Sequence, residues 1–122
     1  MAIVFFSLLL SGCSLLAGGT RARYLPLEQR HTILLQEFRM EPATLRLREG
    51  KRARFRFLSE DHPYVLEVKG TDLVWRVPAR GEASFTFSPP PAGIYEIACR
   101  EPADPRCPRM SGYLEVLSRK TR

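Results

Sequence analysis

The sequence predicts an all-β fold, a sandwich of about seven short strands. Three observations lead there. Ten prolines and eight glycines divide the 122 residues into short segments. The apolar runs between them carry no helical period, and where apolar residues recur they alternate with polar ones, as on a strand with one buried face. With 44% hydrophobic and 26% charged residues, the chain fits one domain with a real core. A net charge of +6 favours acidic partners or anionic lipid head groups. Neither a nucleic-acid motif nor a recognition helix is visible, which argues against nucleic acid as a partner.

The elements follow in order. His31 to Arg39 reads as a first strand, and Glu41-Pro42 as a turn. Leu45 and Leu47 alternate with Thr44, Arg46 and Arg48; after Glu49-Gly50, Ala53, Phe55 and Phe57 alternate with Arg52, Arg54 and Arg56. This strict period of two puts the apolar side chains on a core and the arginines in solvent. Leu58 to Pro63 breaks the pattern and is expected to be a loop holding His62. Tyr64 to Lys69 is the next strand, Gly70-Thr-Asp a turn, and Leu73, Trp75 and Val77 mark another strand. Ala83, Phe85 and Phe87 alternate before Ser88-Pro-Pro-Pro-Ala-Gly93, a connection no central strand accommodates. Tyr95, Ile97 and Cys99 then share one face, and Gly112 to Leu117 forms the last strand.

Met1 to Gly12 is almost wholly apolar and too short to span a membrane as a helix, so it reads as an export signal. Leu10-Ser11-Gly12-Cys13 is similar to the lipobox of bacterial lipoproteins, although no Lys or Arg precedes the apolar run. That resemblance implies lipidation at Cys13, with a lipid-anchored domain on the periplasmic or extracellular face. The alternative is a buried N-terminal strand with Cys13 as an ordinary core cysteine. The expected organisation is a signal over residues 1–12, a tether over 13–30 and a folded domain over 31–122.

Cys99-Arg-Glu-Pro-Ala-Asp-Pro-Arg-Cys107-Pro-Arg-Met110 carries the chemistry. Two thiols and a thioether on one loop suit Cu(I), Cu(II) in a thiolate site, or Zn(II). The same two thiols equally suit a disulfide in an exported protein.

The run from Phe38 to Val116 resembles a cupredoxin, most closely the CuA domain of cytochrome oxidase subunit II. That family's loop reads C-x-E-x-C-G-x-x-H-x-x-M after a G-x-Y-x-x-x-C strand. Here Gly93, Tyr95, Cys99, Glu101, Met110 and Gly112 occupy matching positions, and His62 lies where the family places its first histidine. Two departures matter for the ligand set: Ala103 stands at the second bridging cysteine and Cys107 at the second histidine.

The resemblance implies a cupredoxin-like Greek-key sandwich. A dinuclear site is lost with those two substitutions. What is left is a single copper held by His62, Cys99, Cys107 and Met110, for electron transfer or copper handling near a respiratory oxidase. The alternative is a metal-free cupredoxin scaffold with a Cys99–Cys107 disulfide and an interaction or accessory role. Arg100, Arg106 and Arg109 either solvate the loop or steer an acidic redox partner or oxidase complex to it. Met110 also fits as core, and His62 as an ordinary loop residue. With two histidines and no Ser/His/Asp or paired-carboxylate arrangement, the sequence favours a binding or electron-transfer protein over an enzyme.

Overall fold

A computed structural model describes residues 28–119. The signal and lipidation site read at residues 1–13 lie outside the described residues.

The described chain forms β1 (Gln29–Gln36), β2 (Arg39–Glu41), β3 (Thr44–Arg48), β4 (Ala53–Ser59), β5 (Tyr64–Val68), β6 (Val74–Val77), β7 (Glu82–Phe87), β8 (Gly93–Glu101) and β9 (Gly112–Leu117). They pack as two sheets, a five-stranded one in the order β3-β9-β8-β5-β6 and a four-stranded one in the order β2-β1-β4-β7. The pairs β3/β9 and β1/β4 are parallel, and the remaining pairs are antiparallel. This is the all-β sandwich the alternation predicts, with nine strands among the described residues instead of about seven; one addition is the short β2, which pairs with β1.

One difference lies at the start. The segment read as a single strand from His31 to Arg39 is a tight hairpin, because Glu37 and Phe38 both adopt positive φ, 51° and 58°. Gln36 then pairs with Arg39 and Leu34 with Glu41. Two left-handed residues between paired strands make the turn type whose twist matches the strands. Neither residue is the Gly or Asn that normally announces it.

A second difference concerns the arginines. The alternating segments around Gly50 do not pair with each other; β3 joins β9 in one sheet and β4 joins β1 and β7 in the other. The arginines that alternate along the two segments are thereby divided between the outer faces of two sheets. Arg46 pairs with Glu115 and Arg56 with Glu82, each at 2.8 Å.

The core lies between the sheets and is aromatic at its centre. Phe55 and Phe57 are fully buried, and the Phe55 ring sits 5.3 Å from Trp75 and 5.0 Å from Phe87. Edge-to-face and tilted arrangements of this kind add to burial through the ring quadrupoles. Leu45, Leu47, Leu66, Ile97 and Leu114 fill the space around them. Gly112 is required by packing: a Cβ there would run into the Met40 thioether.

We predict that Phe55→Ala lowers stability by about 3–5 kcal/mol, read by denaturant unfolding, because the surrounding rings cannot collapse into the space left behind.

Candidate functional site

The two loops expected to hold the chemistry meet at one end of the sandwich. Cys99 projects inward near the end of β8, beside the buried Ile97. An irregularity in the β5–β8 register follows, where Val65 faces Glu101 and Leu66 faces Cys99, leaving Arg100 as the extra residue of a bulge. The chain then drops into a 3-10 turn, Cys107–Arg109, and Met110 closes it with its N–H on the Cys107 carbonyl at 3.0 Å.

Cys99 and Cys107 are joined by a disulfide with an S–S distance of 2.03 Å. Both are buried, at 8% and 1% exposure, as is Met110 at 4%. The Glu101 carbonyl oxygen lies 3.4 Å from Cys99 Sγ.

His62 is organised by Asp61. The Asp61 carboxylate accepts the His62 backbone N–H at 2.6 Å, the Glu37 N–H at 2.7 Å and the Tyr64 hydroxyl at 2.8 Å. The Ser59 hydroxyl donates to the His62 carbonyl at 2.5 Å. The Tyr64 hydroxyl in turn accepts the Phe38 N–H at 3.2 Å. Burial pushes the Asp61 pKa up, but the three donated hydrogen bonds outweigh it and leave the carboxyl below its usual value. Tyr64 is pushed up to about 12, first by burial and then by the Asp61 carboxylate.

Phe38 links the two loops. The His62 ring stacks on it at 4.8 Å between centroids, and the Arg106 guanidinium lies 4.7 Å from its centroid. Arg106 is also held by Asp104, Nε to Oδ1 and Nη2 to Oδ2, both at 3.1 Å. That fork lowers the Asp104 pKa and raises that of Arg106. Arg100 turns to Glu67 at 3.4 Å, and Arg109 is exposed. The three arginines therefore have separate environments.

The residues singled out by sequence thus fall into two groups. Cys99, Cys107 and Met110 share one loop, with the cysteines bonded to each other, and His62 reaches that loop through Phe38. Among the described residues there is no group of three or more His, Cys, Asp or Glu able to hold a metal ion. A disulfide presents no thiolate, so the donors as bonded do not fit copper. Sequence reasoning missed Phe38, Asp61 and Tyr64. The signal available for Asp61 was its place directly before His62-Pro63 in a loop, where Asp commonly bonds nearby backbone.

No family model matches the sequence, and no curated protein matches it. Solved structures do match. A heme-copper terminal oxidase dimer aligns with a TM-score of 0.62 at 15% identity over 73% of this chain. The match spans 65% of that oxidase chain, just under two thirds of its length. The fold is cupredoxin-like. Auracyanin A, a "blue" copper protein from the green thermophilic photosynthetic bacterium Chloroflexus aurantiacus, aligns with a TM-score of 0.55 at 20% identity, over 71% of this chain and 98% of its own. The metal binding domain of the Cu(I)-exporting P-type ATPase CopA of Streptococcus pneumoniae D39 aligns with a TM-score of 0.58 at 18% identity, over 72% of this chain and 84% of its own. At these identities the likeness is one of cupredoxin-like fold.

Two predictions follow from the geometry. Asp61→Asn removes the charged acceptor of three hydrogen bonds and is expected to cost about 1–2 kcal/mol at neutral pH. Because the carboxyl pKa is lowered by folding, its contribution is present above the unfolded value near 4 and is lost as pH falls through the folded one. Wild type and variant should therefore converge in urea unfolding toward low pH. Replacing Cys99 and Cys107 by Ser opens a link with a sequence separation of 8. On the chain-entropy model this should cost about 2–3 kcal/mol, measured against the oxidised wild type.

Proposed function

We propose that this protein is a cupredoxin-like accessory module, exported and held at a membrane through lipid on Cys13, whose ligand loop is closed by a disulfide and serves structure and docking. The observation that carries this reading is the Cys99–Cys107 bond. It consumes both thiols of the loop, and the Asp61-centred bonding gives the neighbouring His62 loop a structural explanation. An exported location agrees with the bond, since disulfides persist in oxidising compartments. Arg109 and Arg106, the latter held by Asp104, are exposed cations of this end, suited to an acidic partner such as a subunit of an oxidase complex. The role is binding, with no enzymatic step assigned.

A second reading is favoured by the burial of Cys99, Cys107 and Met110 in one loop. Reduction of the disulfide would return two thiolates beside a thioether, a donor set suited to Cu(I), with His62 as the remaining candidate. That form would handle copper or pass electrons near a respiratory oxidase.

Titration with Cu(I) before and after reduction separates the two. The accessory reading predicts no stoichiometric binding by the oxidised protein, and binding after reduction no tighter than in Cys107→Ser. One equivalent bound only after reduction, and lost in Cys107→Ser, would establish the copper reading instead.

A further inference from the structure

The end of the sandwich opposite the disulfide carries a cationic surface that the loop chemistry does not explain. It is built where the chain enters the fold. Arg30 on β1 lies directly beside Arg54 on β4, as parallel partners. Like charges placed opposite each other destabilise a sheet, so the pairing is not a device for folding. The neighbouring Gln29 binds the β3–β4 turn, donating its side chain to the Lys51 carbonyl at 2.9 Å and its backbone N–H to the Arg52 carbonyl at 3.0 Å. Arg119 joins from the other end of the chain, its guanidinium packed at Gly50, where a Cβ would sit 3.1 Å from Cζ.

Arg30, Lys51, Arg52, Arg54 and Arg119 are all exposed. Three carboxylates are near, and one of them, Glu82, pairs with Arg56 at 2.8 Å. Glu28 lies 3.5 Å from Arg30, and Glu49 accepts the Ala92 N–H at 3.0 Å. Arg54 makes no ion pair among the described residues. From it, a groove of about 430 Å³ runs along the outer sheet face past Thr32, Ser84 and the Arg56–Glu82 pair, so the guanidinium groups of Arg30 and Arg54 and the two hydroxyls are what it offers to phosphate oxygens. The sequence extends the charge in both directions, with Arg21 and Arg23 before Glu28 and Lys120 and Arg122 after Arg119.

We propose that this end docks on an anionic phospholipid bilayer. Cys13, the proposed lipid site, precedes Glu28 and Arg30 in the chain, so the membrane attachment joins the domain at this end. A basic patch beside a lipid anchor adds electrostatic attraction to anionic head groups. Docking here turns the disulfide loop, Phe38 and Arg106 away from the lipid. This inference does not depend on whether that loop is structural or binds copper.

The test is sedimentation of the full chain with vesicles of phosphatidylcholine alone and of phosphatidylcholine mixed with phosphatidylglycerol. The full chain should partition more strongly into the anionic vesicles, with an advantage that shrinks as salt screens it. At about fivefold per basic residue, the triple variant Arg30→Gln, Arg52→Gln, Arg54→Gln should lose about a hundredfold of that partitioning while keeping its binding to neutral vesicles. Should the triple variant fold poorly, Lys51→Gln with Arg119→Gln, both outside the strands, should lose about 25-fold with an unchanged thermal midpoint. Equal partitioning into both vesicles, or a folded variant that binds like wild type, would overturn the proposal. So would saturable displacement by inorganic phosphate, which would mark a site for a discrete anion instead of a surface.

Discussion

The bond between Cys99 and Cys107 fixes the geometry of the loop-bearing end of this sandwich. Cys99 belongs to β8, a central strand of the five-stranded sheet, and Cys107 opens the 3-10 turn that leads through Met110 to β9. The link therefore ties a proline-containing connection to the most firmly held part of its sheet. Arg106, directly before Cys107, is thereby brought over Phe38, which in turn carries the His62 ring. A buried disulfide and an aromatic stack thus hold together the two loops that lie beyond the strand ladders at this end.

A second constraint acts through Asp61. One carboxylate ties its own loop, through the backbone of His62 and the hydroxyl of Tyr64, to the hairpin at Glu37, which is distant in sequence and adjacent in space. Its charge is stabilised by those donors, so the arrangement is rigid at neutral pH and weakens in acid. Tyr64 gives the hub a buried floor, and Phe38 gives it a lid that both loops share. Soft-metal chemistry and structural closure make opposite demands on such an end. Metal binding needs free thiolates, while closure removes them.

The fold was legible because its signal is local and repeated. Phe55 and Phe57 against Arg54 and Arg56, Leu45 and Leu47 against Arg46, and Tyr95, Ile97 and Cys99 on one face all record which side of a strand is buried. The hairpin at Glu37-Phe38 was hidden because neither residue advertises a left-handed conformation, and the Asp61 bonds that hold it come from a distant segment. The separation of β3 from β4 was hidden for a different reason. Alternation says which face is buried and is silent on which sheet a strand joins. At the site, the sequence narrowed Cys107 to two roles, ligand or disulfide partner. Thiol spacing is compatible with both, and only the three-dimensional approach of the two sulfurs distinguishes them.

The two ends of the domain divide its physical roles. One end is closed by sulfur chemistry and an aromatic stack; the other gathers exposed cations around the point where the chain enters. The closed end depends on the state of the two cysteines, and the direct measurement is mass spectrometry of the full chain purified without reductant and trapped with an alkylating agent. The expected result is a Cys99–Cys107 crosslinked peptide, with neither cysteine alkylated until the protein is reduced. Alkylation of both cysteines in the unreduced, folded protein would contradict the account.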